Sequence, residues 1–224
     1  MVCPLTRLDT KRRVIALTLD ACGGRGPGTY DREMIEYLKQ EHVPATLFIN
    51  ARWAQAHPAV FTRLCSDPLF DIASHGYRHC PCTIAPAERY GIEATSSIPA
   101  LVEEVERSSR VLQKLGARFP RYFRSGTAWY DECSIHIIEE MGYRIVNFDV
   151  NSRDYDRFAP AEKIAGHILE AKPGSIIIMH MNRPGSNSLA ALKIAVPQLR
   201  ERGYTFVHLS GYRLIHVMRT RLPR

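Results

Sequence analysis

The chain has 224 residues, 45% apolar and 24% charged, with 30 basic against 23 acidic side chains for a net charge of +7. That composition excludes a disordered or collagen-like polymer, and no run of about 20 apolar residues is present to span a bilayer as a helix. Six scattered cysteines are too few for a disulfide scaffold.

The length suits one domain over residues 1–224 with a full core. Part of the basic excess lies near the ends, at Lys11, Arg12, Arg13, Arg213, Arg219, Arg221 and Arg224. Such an excess suits anionic partners, but no recognition motif points to nucleic acid. The first residues lack the apolar core of a signal peptide. The expectation is a cytoplasmic chain as written, or a periplasmic or secreted one if a targeting segment is missing.

Residues 14–19 (VIALTL) read as a buried strand, stopped by Asp20 and the glycine-rich stretch 22–28. A helix is expected over 31–42, with Met34, Ile35 and Leu38 on one face. Residues 45–49 form a second strand, 58–64 a helical stretch and 70–74 a third strand. A long polar region follows, read as loop, and then a helix over 98–115 closed by Gly116. Strands at 121–123, 144–148, 175–180 and 205–207 alternate with helices at 131–141, 159–171 and 189–202. This alternation predicts right-handed crossovers and a parallel sheet, and seven strands suit a barrel better than an open sheet.

Polar residues stand at the C-terminal ends of these strands, where the loops of a parallel barrel share one face. Asp20 follows the first strand, His75 and His79 the third, Arg124 the fourth and Asp154 the fifth, while His180 closes the sixth. Each alone has a bland explanation: Asp20 as a cap, Arg124 with Asp154 as a structural ion pair, His180 as a core histidine. Jointly they describe a pocket. His75 and His79, four apart, are expected to face one another across a helical turn and grip a divalent metal, zinc before cobalt or nickel. Cys80 and Cys82 directly after them could extend that site. Asp20 is the candidate general base, held ionised by Arg124. His180 is the candidate acid, oriented and charged by Asp154. The segment 23–28 and the turn Ser125, Gly126, Thr127 would let backbone approach a substrate closely, with N–H groups near the turn stabilising an oxyanion.

The residues resemble those of the NodB-homology polysaccharide deacetylases, carbohydrate esterase family four. Thr18-Leu19-Asp20 is similar to the family's Thr-Phe-Asp-Asp motif, and His75 to His79 to its metal-binding His-x-x-x-His. Phe123 to Gly126 resembles the third motif, Asn151 to Tyr155 the fourth and Ile178-Met179-His180 the fifth. The resemblance covers about residues 14–207. It implies a distorted (β/α)7 barrel and a metal-dependent hydrolase that removes N-acetyl or O-acetyl groups from a glycan, with Tyr155, Ser125, Gly126 and Ile178 against the substrate. Two departures stand out. Ala21 replaces the aspartate that supplies a metal ligand, and Tyr155 replaces the tryptophan that walls the acetyl pocket. Asp20, Cys22 or extra water are open as replacements for the missing ligand. The rival readings are a catalytically silent glycan-binding module and a hydrolase of a small amide.

Overall fold

In the computed structural model, which describes residues 3–23 and 28–217, the chain begins with β1 (Arg7–Leu8) and enters β2 (Val14–Ala21), buried along its whole length. There follow α1 (Arg32–Gln40), β3 (Ala45–Ile49), α2 (Ala51–Ala56), α3 (Pro58–Ser66) and β4 (Phe70–Ser74). A small hairpin, β5 (Glu88–Arg89) with β6 (Ile92–Glu93), precedes the long α4 (Ile98–Lys114). Then come β7 (Tyr122–Phe123), α5 (Glu132–Glu140), β8 (Arg144–Ile145), β9 (Val150–Asn151), α6 (Ala161–Ile168) and β10 (Ile176–His180). The described chain ends through α7 (Ser188–Glu201), β11 (Thr205–Phe206) and β12 (Leu214–Ile215).

The main sheet runs β8-β7-β4-β3-β2-β10-β9, with β11 beside the start of β2, and every pairing in it is parallel. Its two end strands are consecutive in the chain, so the sheet curls into a distorted (β/α)7 barrel. The expected strand at 144–148 is cut short after Ile145, and a separate strand follows at 150–151. Asp149 accepts from the Ile176 N–H (2.8 Å), the Ser175 hydroxyl (2.9 Å) and the Arg7 guanidinium (2.6 Å), which pulls the chain across to β10.

Strand periodicity sorts the side chains of the central strands β2, β3 and β10 between two cores. Ile15, Leu17, Leu19 and Ala21 of β2 pack with Leu47, Ile49, Ile177 and Met179 under the helices. Val14 and Ala16 point the other way, joining Phe48, Ala73, Ile176, Leu209 and Leu214 inside the barrel. The next residues of that inner set are Thr18 and Asp20 on β2, Ile178 and His180 on β10, and His75 just past β4. The polar members therefore gather where the apolar plug ends. β1 pairs antiparallel with β12, Leu8 opposite Leu214, and adds both leucines to the plug. Helices dock as amphipathic elements: α1 buries Met34, Ile35 and Leu38 and is capped by Asp31, which accepts the Met34 N–H at 3.0 Å, a cap worth about 1 kcal/mol.

Candidate active site

Arg124, fully buried after β7, is the hub. Its Nη1 donates to Asp20 Oδ1 at 2.7 Å and to the Thr18 hydroxyl at 3.0 Å, while Nε and Nη2 donate to the carbonyls of Val146 (2.9 Å) and Asn147 (3.1 Å). The guanidinium also lies 3.9 Å from the Phe48 ring centre. Burial alone would raise the Asp20 carboxyl, but Arg124, with His75 and His180, outweighs it and holds Asp20 below the usual carboxylate range.

Across the cleft stands His180, whose Nδ1 meets Asp154 Oδ1 at 2.8 Å. Asp154 also accepts the His180 backbone N–H at 2.8 Å and hydroxyls of Ser152 and Ser188, each at 3.0 Å. Burial would lower the imidazole pKa, yet the ionised Asp154 lifts it well above the ordinary value. Arg124 and Asp154 thus serve different partners and do not form an ion pair with each other.

His75 and His79 do not share a helical turn. They lie on a loop after β4 that passes through positive φ at Gly76 (+71°) and His79 (+65°). Glu104 of α4 holds this loop, accepting the N–H of Arg78 (2.7 Å) and of His79 (3.0 Å). The Asn50 amide braces it from the other side, donating to the carbonyls of His75, Gly76 and Tyr77. The two rings meet edge to face, 4.8 Å apart.

The donor set suits a divalent ion. His75 Nδ1 donates to the Arg124 carbonyl at 2.9 Å, which leaves Nε2 with its lone pair facing Asp20 Oδ2 (3.6 Å) and Cys22 Sγ (3.7 Å). Burial lowers the His75 pKa against the pull of Asp20, keeping the imidazole neutral and able to ligate. His79 Nε2 is buried with no hydrogen-bond partner among the described residues. Such an orphaned nitrogen is what an ion would satisfy. Ligand atoms of Cys22, His75 and His79 lie within 4.8 Å of one another. Burial raises the Cys22 thiol, but His79 and His180 together bring it down to about 6.

A cleft of about 380 Å³ opens beside these groups, lined by Asp20, Cys22, His79 and His180 on the floor and Tyr90, Tyr155 and Arg183 toward the rim. Ile178, Asn151 and Gly126 also face it. Gly126 has a packing reason to be glycine: a Cβ there would sit 2.4 Å from the His79 backbone. Gly126→Ala is expected to shift the His79 loop and to weaken any divalent ion held there roughly 10–100-fold in calorimetry, the range for disturbing the groups that orient a ligand; unchanged affinity would show the loop yields freely.

Two sequence expectations need correction. Ser125 lines the cleft, but its N–H donates to the Tyr130 hydroxyl (2.6 Å) and its own hydroxyl bonds the Trp129 backbone, so Ser125 braces the turn and offers no N–H to an oxyanion. Cys80 and Cys82 do not extend the metal cradle. Both are buried away from the cleft, Cys82 packing with Phe123 and Ile138, and burial pushes the Cys80 thiol up to about 12. Of the glycine-rich stretch, residues 24–27 lie outside the described residues; Gly23 packs against Asn50 where a Cβ would clash. The bracing groups Asn50, Glu104 and Ser188 escaped sequence reading because each is a lone polar residue whose partner is distant in the chain, while Tyr130 and Ser152 brace the near neighbours Ser125 and Asp154.

Comparisons with known proteins agree with this geometry. The family model described as polysaccharide deacetylase matches residues 7–146. A chitooligosaccharide deacetylase of Azorhizobium caulinodans is 28% identical over 183 residues, covering 75% of this chain and 81% of that protein. A solved peptidoglycan N-acetylglucosamine deacetylase superposes with a TM-score of 0.78 at 23% identity, covering 92% of this chain and 91% of that one. A solved carbohydrate esterase family four pseudoenzyme from Bacillus anthracis superposes with a TM-score of 0.77 at 18% identity, covering 94% of this chain and 68% of that one. With a buried carboxylate, a charged imidazole and a histidine cradle around one cleft, the chain belongs to the polysaccharide deacetylase family, hydrolases of amide bonds in acetylated glycans.

Proposed function

We propose that this protein is a metal-dependent deacetylase that releases acetate from N-acetylated, or secondarily O-acetylated, sugars of a poly- or oligosaccharide. The observation that carries the reading is the opposition of two unlike groups over one cradle, Asp20 kept ionised by Arg124 and His180 kept protonated by Asp154. Environments that push two titratable groups apart are how a site assigns its base and its acid.

His75 and His79 would hold the dication, which when bound supplies Lewis-acid polarisation of the acetyl carbonyl and acidifies water. Asp20 takes the proton of the attacking water through Oδ2, since Oδ1 is engaged by Arg124. His180 gives its proton to the departing nitrogen, and Asp154 stabilises the imidazole throughout. Tyr155, half exposed at the rim, and Ile178 on the floor offer the apolar surface for the acetyl methyl and sugar face. The direct test measures acetate released from chitooligosaccharides, peptidoglycan fragments and acetylated xylan, with zinc, cobalt, nickel or chelator. Chelator-sensitive release is expected; no stoichiometric metal and no release from any substrate would replace this reading with a silent glycan-binding module, the alternative that Ala21 motivates.

The pH profile checks the acid. Because the folded pKa of His180 is raised, its proton, and the stability it contributes, persist below the unfolded value near 6.5 and are lost only as pH rises through the raised value. Asp20 and Asp154 have lowered pKa values, so their contributions hold above the unfolded value near 3.9 and fade as pH falls through the folded ones. Asp154→Asn removes the carboxylate charge, so the alkaline limb of kcat is expected to move to lower pH. A limb that stays in place would take the proton-donor role away from His180.

A further inference from the structure

We infer that Cys22 is a thiolate ligand of the metal, making the cradle a Cys–His–His set in which sulfur does the work of the missing carboxylate. The inference rests on the metal-dependent reading above only in requiring that a dication bind between the two histidines.

Strand parity puts the sulfur there. On β2, Ala21 points with Leu17 and Leu19 into the core beneath the helices, next to Ile49 and Trp53. Cys22 is two residues beyond Asp20, returns to the inner face and lines the same cleft. Its backbone is pinned, its carbonyl accepting the Asn182 amide at 3.0 Å and the preceding Ala21 carbonyl accepting the Asn50 N–H at 3.1 Å. The side chain therefore reaches the cradle from a fixed base.

The distances match coordination. Zinc–sulfur and zinc–imidazole bonds of about 2.3 and 2.0–2.1 Å at a tetrahedral angle put sulfur and nitrogen about 3.6 Å apart. Cys22 Sγ and His75 Nε2 are 3.7 Å apart, and the three donor atoms lie within 4.8 Å of one another. The unpartnered, buried His79 Nε2 is the third corner. A thiolate also supplies the single negative charge that a carboxylate would, while favouring zinc over magnesium, calcium or manganese. Binding from the thiol releases one proton per ion.

Cobalt titration of the purified, chelator-treated protein tests this without relying on turnover. The expected result is a thiolate-to-cobalt charge-transfer band in the ultraviolet that saturates with one ion and is abolished in Cys22→Ser. That variant is also expected to lose zinc affinity by more than the roughly 10–100-fold typical of losing an outer partner. Cys22→Asp should bind cobalt without the band. Thermal unfolding of the chelator-treated forms keeps a folding defect apart from a ligand defect. Should wild-type protein bind cobalt with no thiolate band and Cys22→Ser keep its affinity, Cys22 is not a ligand, while the deacetylase reading stands. An acetyl thioester trapped on Cys22, with His180 as its base, would likewise overturn the inference by making the thiol a nucleophile. No metal bound by any form would remove the metal-dependent reading as well.

Discussion

Replacing Asp20 with asparagine is expected to lower kcat about 10²–10⁴-fold, the span over which a positioned general base acts, with little change in KM. Asparagine keeps the size and one oxygen for Arg124, but it cannot take a proton. Oδ2 of Asp20 is the atom at stake, since Oδ1 is engaged by the guanidinium and Oδ2 looks toward His75 at 3.6 Å. Acetate release at saturating substrate measures the effect, and circular dichroism with zinc stoichiometry shows whether fold and cradle persist. A folded, metallated Asp20→Asn protein with near wild-type kcat would force the proton onto another group.

Arg124→Met is expected to destabilise the protein by about 3–5 kcal/mol, the usual cost of removing one member of a buried ion pair. The loss is concentrated because one side chain serves the Asp20 carboxylate, the Thr18 hydroxyl and two carbonyls from a site with no access to water. Methionine fills much of the volume and satisfies none of these acceptors. Urea unfolding gives the number. In the double variant with Asp20→Asn the loss should be less than additive, because no bare carboxylate is left behind. A single-variant loss under about 1 kcal/mol, the level of an exposed pair, would mean that water enters the site.

The architecture was legible wherever burial made long apolar runs. Residues 45–49 and 70–74 were bounded to the residue, the first because a strand covered on both faces is nearly all apolar, the second despite Asp71 because Phe70, Ile72 and Ala73 still mark a short run. Helices 31–42 and 98–115 were right to within two residues, their stripes and caps being local signals. Long-range pairing was not legible. β1 and β12 are two-residue strands from opposite ends of the described chain, and the β5–β6 hairpin turns at Tyr90-Gly91 inside what reads as polar loop. Within the site, Asp20, His75, His79, Arg124, Asp154 and His180 could be singled out as strand-end residues. The pairs Asp20 with Arg124 and Asp154 with His180 could be read as well, and the structure brings both together; the loop path that sets His75 against His79 could not. Nor could the position of Cys22, which depends on β2 continuing past Leu19 to Ala21 before the chain turns.

In the metal-dependent reading, the grip of Asn50 on three successive carbonyls bears on how the proposed ion would come and go. That side-chain amide, together with the Asn50 backbone N–H on the Ala21 carbonyl, ties the end of β2 to the segment after β4. The donors are thus held in place by the scaffold before any cation arrives, and little ordering is left for the binding event to accomplish. Stripping the metal should consequently leave a dormant yet intact fold, ready to reload, in contrast to small zinc modules that collapse when theirs is withdrawn.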